Sequence, residues 1–137
     1  MGMKTVGKRE RGQNLVEFAL ILPLFLLLVV GMAEFGRAWM TRNILTGAAR
    51  EAVRAAAVET QANAYNSAKA IADPILASAG IPPLVPGDFD DSVDTPVPTV
   101  SVSITYSYPL IIARFNPALP GPNIPLNGTA SMRRERY

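Results

Sequence analysis

The chain has 137 residues, a formal net charge of +2, and neither cysteine nor histidine. That length holds one small domain. The missing cysteines exclude a disulfide framework and a thiolate metal site, and the missing histidines remove the commonest general base and metal ligand.

Residues 1–12 read as a basic leader, carrying Lys4, Lys8, Arg9 and Arg11 against one acid, Glu10. Residues 13–33 follow as an apolar helix, with no charge from Phe18 to Ala33. At ~1.5 Å per residue the charge-free run covers most of a hydrocarbon core of about 30 Å, and counting from Gln13 the span is long enough to cross it. The positive-inside rule then puts the N-terminus in the cytoplasm and the remainder outside. This places the protein in the cytoplasmic membrane as a single-pass chain. A basic patch beside a membrane span speaks against nucleic acid as a partner. Pro23 removes one backbone hydrogen bond and predicts a kink. Glu17 is the residue to explain, because a carboxylate inside a span costs roughly 2.5–3.5 kcal/mol at its centre. A competing reading takes Gly31-Met32-Ala33 as a signal peptidase site, but it leaves Glu17 without a purpose.

Glu17 is the fifth residue after Gly12, and Phe18 follows it. A basic leader, a glycine, four residues, Glu-aromatic and an apolar helix resemble the class III signal of type IV pilins. Gly12, Glu17-Phe18-Ala19, Pro23 and Glu34-Phe35-Gly36-Arg37 together resemble more closely the TadE-like pseudopilins of the tight-adherence (Flp, type IVc) pilus. The resemblance implies cleavage between Gly12 and Gln13 by a prepilin peptidase, with the apolar helix retained. It implies as partners the membrane, other pilin subunits and the inner-membrane assembly machinery. It also implies a register role for Glu17, opposite the new α-amino group on Gln13 of a neighbouring subunit. That amine is largely cationic at neutral pH, with an ordinary pKa near ~7.7–8.0.

Residues 34–63 read as an extracytoplasmic continuation of the helix, roughly 75 Å long if unbroken from Gln13. Leu45, Ala48, Ala49, Ala52, Val53 and Ala56 recur at helical spacing; Asn43, Thr46, Gly47, Arg50 and Arg54 take the other face. Ala48, Ala52 and Ala56 form a small-xxx-small series that admits close helix packing. Its partner is either another subunit or this chain's own domain.

Residues 64–137 read as a small α+β domain. Asn66 to Ala79 forms a second helical stretch, split or bent at Asp73-Pro74 and stopped at Gly80. Residues 82–98 read as an acidic, solvated loop carrying Asp88, Asp90, Asp91 and Asp94, with a spacing that does not fit an EF-hand. Val100 to Tyr108 alternates as a half-buried strand. Ile124 to Met132 is a weaker strand, pairing antiparallel with the first. The strand ends Tyr108-Pro109 and Met132-Arg133-Arg134-Glu135 again resemble TadE-like proteins. Asn127-Gly128-Thr129 matches a glycosylation sequon and is read as chance.

The sequence shows no phosphate-binding loop, nucleophile–base pair or metal-ligand cluster, so no cofactor and no enzymatic activity are expected. The expected protein is a minor pilin that helps assemble a tight-adherence pilus. The alternative is a membrane-anchored binding or adhesion module that does not polymerise.

Overall fold

The fold is described from a computed structural model covering residues 9–92, 97–111 and 123–134. Helix α1 runs Arg9–Ala57 without interruption, through Pro23. Its 49 residues make a rod about 74 Å long. Helix α2 spans Gln61–Ser78. A short 3-10 turn, Pro86–Asp88, leads into strands β1 (Phe89–Ser92), β2 (Thr99–Pro109) and β3 (Asn123–Arg133). The strands form one antiparallel sheet in the order β1-β2-β3. This is the expected α+β architecture, with one strand more than the expected hairpin.

The apolar stripe of α1 carries the core. Leu45, Ala48, Ala49, Ala52 and Ala56 are fully buried, and Val53 nearly so. They cluster with Ala64, Ala68, Ala72 and Leu76 of α2 and with Val100, Val102 and Ile104 of β2. Alanines on both helices let the backbones approach closely, so α2 and the sheet both pack on one α1 face.

That packing explains why α1 stops at Ala57 rather than near Asn63. Two alanine stripes on one continuous helix cannot face each other. The chain turns at Val58–Thr60, where Thr60 is extended (φ −67°, ψ 154°) and caps α2. The turn holds neither glycine nor proline, and so gives little warning in the sequence. Helix α2 consequently begins at Gln61, ahead of the expected Asn66, and Pro74 does not split it. A proline deletes a single amide bond, and burial of Ala72 and Leu76 on either side carries the helix past that loss. Gly80 ends α2 as expected. Its φ of +67° lets the Gly80 N–H reach Ala77 O and the Ile81 N–H reach Leu76 O, both at 3.0 Å. This is the paired closure that a left-handed glycine permits.

The alternation in β2 holds: Val100, Val102, Ile104 and Tyr108 are buried and Tyr106 partly so. Strand β1 falls within the stretch 82–98 expected as a loop, since Phe89-Asp90-Asp91-Ser92 is short, acidic and without alternating pattern. In β3, Gly128 pairs with Ile104 and presses on α1. A Cβ there would lie 2.4 Å from the Leu45 carbonyl carbon and 2.5 Å from the Thr46 nitrogen. The glycine of the apparent sequon is thus the point where the sheet meets the helix backbone.

Candidate functional site: the helix and its junction with the domain

The residues from Gly12 to Val30 form an exposed, apolar segment. Helix α1 is long and apolar enough to cross a membrane, with a peak mean hydropathy of 2.6 and none of that window buried. Gly12, Gln13, Glu17, Phe18 and Pro23 all lie exposed on it. The helix places Gly12 and Glu17 between one and two turns apart, just before the charge-free run. A Cβ added at Gly12 would meet nothing within 4 Å, so its glycine serves neither packing nor turn geometry within this fold. Ala48, Ala52 and Ala56, by contrast, are fully buried in the chain's own core. Of the two occupants the sequence allowed for that face, the structure contains the chain's own domain.

Above the apolar run, the Glu34-Phe35-Gly36-Arg37 motif divides by face. Glu34 is buried, at 6% exposure. Its Oε1 accepts from Arg37 Nη1 at 3.1 Å, and its Oε2 accepts from the Ile111 N–H at 3.1 Å, 77 residues along the chain. Arg37 also sits over the Tyr108 ring, 5.9 Å from its centroid. Together these tie the end of β2 to the helix just beyond the span. Burial first, and the Glu34 carboxylate second, push the Tyr108 phenol above its ordinary 10.0, against the opposing pull of Arg37. Among the described residues the buried Tyr108 hydroxyl has no hydrogen-bond partner. Phe35 points away from this junction, 69% exposed, and stacks on Trp39 at 6.2 Å. In the sequence the motif carries only a resemblance, and Glu34 has no separate role there. The available clue was a lone carboxylate one residue past an apolar run.

Two further polar ties close the domain. Asp73 Oδ1 accepts from the Leu84 N–H at 2.9 Å, and Asp73 Oδ2 pairs with Lys69 Nζ at 2.9 Å. Lys69 and Tyr65 both donate to Leu84 O, at 2.9 and 3.2 Å. Burial raises the Asp73 carboxyl, but the bonds from Lys69 and the Leu84 amide outweigh it and hold the group below its ordinary 3.8. The bond to Asp73 raises Lys69 above 10.5, with desolvation opposing. The second tie is Arg134, whose side chain is fully buried. It pairs with both carboxylate oxygens of Asp91 and donates to Glu59 O at 2.9 Å. It thereby joins the end of β3, strand β1 and the α1–α2 turn.

The acids of the expected loop are separately engaged. Asp88 accepts from the Val85 N–H, Asp90 from the Ser92 hydroxyl, and Asp91 pairs with Arg134; Asp94 lies outside the described residues. Among the described residues no cluster of acidic groups is arranged to hold a metal. A cleft of about 370 Å³ opens between α1 (Arg37, Met40, Ile44), Ser78 and β2 (Tyr106, Tyr108). Its aromatic and cationic lining contains no nucleophile–base pair.

Residues 12–54 match the family model described as TadE-like protein. Over that segment the chain is similar to TadE-like proteins. The match begins at Gly12 and ends within the alanine stripe, so it covers the exposed run, the junction motif and the first part of the buried face. No curated protein and no solved structure matches the chain. Helix α2 and the sheet lie beyond the matched residues.

Proposed function

We propose that this protein is a pilin-like subunit that takes part in assembling a tight-adherence pilus, processed between Gly12 and Gln13 by a prepilin peptidase. The TadE-like match over the apolar helix is the observation that carries the reading, and TadE-like proteins are structural rather than catalytic. Gly12 is exposed, and a Cβ there would meet nothing within 4 Å, so the position is open to a peptidase. The leader then lies in the cytoplasm, the helix crosses the inner membrane, and the α+β domain lies outside. Glu17, exposed in the single chain, is left for a partner: the Gln13 amine of a neighbouring subunit. In apolar surroundings, removing one member of such a pair costs roughly 3–5 kcal/mol, so the pair sets register.

Mass spectrometry of the membrane-bound protein tests the processing step. A mature chain beginning at Gln13 is expected, and Gly12→Val blocks it without preventing insertion. A chain beginning at Glu34 or retaining its leader overturns the reading. For register, Glu17→Gln and Glu17→Ala are both expected to be processed and to fail in crosslinking to partner subunits. Wild-type crosslinking by either variant removes the pairing role. The non-polymerising anchor remains the second reading, favoured by one observation. The small-residue face that could have joined subunits is already covered by the chain's own α2 and sheet.

A further inference from the structure

We infer that the lower end of the domain, at Leu110 and Ile111, docks into the outer leaflet of the bilayer beside α1. The inference rests on reading the apolar half of α1 as a membrane span.

Three observations meet at one level of the rod. The first is the depth of Glu34. Counted from Gln13, a span of about 20 residues ends near Ala33, which puts Glu34 at the outer edge of the hydrocarbon. Counted from Phe18, the edge moves outward to about Arg37, and Glu34 lies deeper still. The second is the exposed side of the helix at that level. Met32, Phe35 and Trp39 share one face, and with Met40 they are 55–69% exposed. An apolar face that outlasts the charge-free run, with two stacked aromatics at its end, has the composition of a membrane–water interface. The third is the bond from the Ile111 N–H to Glu34 Oε2. It fixes the backbone of residue 111 at the depth of Glu34, about 7 Å closer to the hydrocarbon than Trp39. Ile111 is 42% exposed there, next to partly buried Leu110.

A domain tied to the helix at the hydrocarbon edge cannot stand clear of the membrane. Among the described residues, Leu110 and Ile111 are the apolar side chains at this end, and the glycerol and upper acyl region is the medium that covers them. Arg37, held over Tyr108 beside this point, lies at the depth of the lipid phosphates. Lipid contact at Ile111 and the tie at Glu34 together fix the tilt of the domain.

The composition suits a direct test. The chain has one tryptophan, Trp39, and no cysteine. The full chain is reconstituted in phosphatidylcholine vesicles, with a bimane label on Ile111→Cys or, in a second sample, on Val58→Cys. Val58 is exposed and lies ~36 Å farther along the helix direction than Glu34. Lipids carry a nitroxide either near the headgroup or deep in the acyl chain. Trp39 and the label at 111 are expected to lose fluorescence to the shallow nitroxide more than to the deep one, and the label at 58 to lose none. Quenching of Trp39 without quenching at 111 overturns the docking and leaves the span intact. An unquenched Trp39 overturns the span reading itself. A label at 111 shielded from both lipid nitroxide and aqueous iodide shows that a second copy covers it, which also overturns the docking.

Discussion

The two halves of α1 are continuous in backbone and opposite in what surrounds them. From Leu15 to Val30 every large apolar side chain is exposed, on all sides of the helix. From Leu45 to Ala57 the buried residues are mostly alanines, with Leu45 and Val53, and they line one sealed face. The first half gains nothing from its own chain, and its exposed apolar surface suits an external apolar surrounding. The second half is stabilised by close approach of backbones, for which alanine suits better than leucine. Hydrophobicity alone therefore does not distinguish span from core; side-chain size and the width of the apolar arc do.

The largest expected effect that tests this contrast is at Gly128. A Gly128→Val side chain would run into α1 backbone at Leu45 and Thr46, which no rotamer change relieves. It is expected to unfold the domain while leaving membrane insertion unchanged, read by protease digestion of inserted protein. A folded Gly128→Val domain would mean that the sheet does not press on the helix. Next is Arg134→Met, which strands the Asp91 carboxylate and is expected to cost roughly 3–5 kcal/mol. Adding Asp91→Leu should restore much of the loss, as measured by denaturant melts in detergent.

A smaller effect is expected from Ala52→Leu, at about 1–3 kcal/mol for overpacking. Its counterpart in the other half, Leu24→Met, should leave domain stability within about 0.5 kcal/mol. Equal effects would erase the distinction between the two halves.

The pH response has a definite sign. Asp73 is held below its ordinary 3.8. Its contribution is present above that value and lost as acid carries pH through the lower folded value. Lys69 and Tyr108 lie above their ordinary 10.5 and 10.0. Their contributions are present below those values and lost as pH rises through the higher folded ones. Thermal melts should therefore be flat with respect to these groups between pH 3.8 and 10.0. A modest effect of opposite sign is expected from Tyr108→Phe. It removes a buried hydroxyl with no partner among the described residues while keeping a ring for Arg37, and should stabilise by about 1 kcal/mol and weaken the alkaline loss.

Where the sequence repeats a pattern over many residues, the fold was legible in advance. The α1 stripe, the β2 alternation and the Gly80 stop are of this kind, because periodicity and left-handed glycine are local properties. Strand β1 and the turn at Val58–Thr60 were not legible. Both depend on partners far along the chain: β1 on β2, and the turn on α2 returning against α1 and on Arg134 reaching Glu59. The resemblance to TadE-like proteins could be read from the spacing of Gly12, Glu17 and Phe18, at the start of the matched segment. The junction could not, since no local pattern announces that Glu34 will receive the amide of Ile111.

Arg134 also bears on the order of events during synthesis. About a hundred residues separate the end of the apolar run at Ala33 from this arginine. At 5–20 residues per second, roughly 5–20 s pass between emergence of the span and of the residue that ties β3, β1 and the α1–α2 turn together. Through that interval the alanine face of α1 has no sheet to cover it. Its small side chains expose less apolar area than leucines would, which limits the attraction to stray partners before β3 arrives.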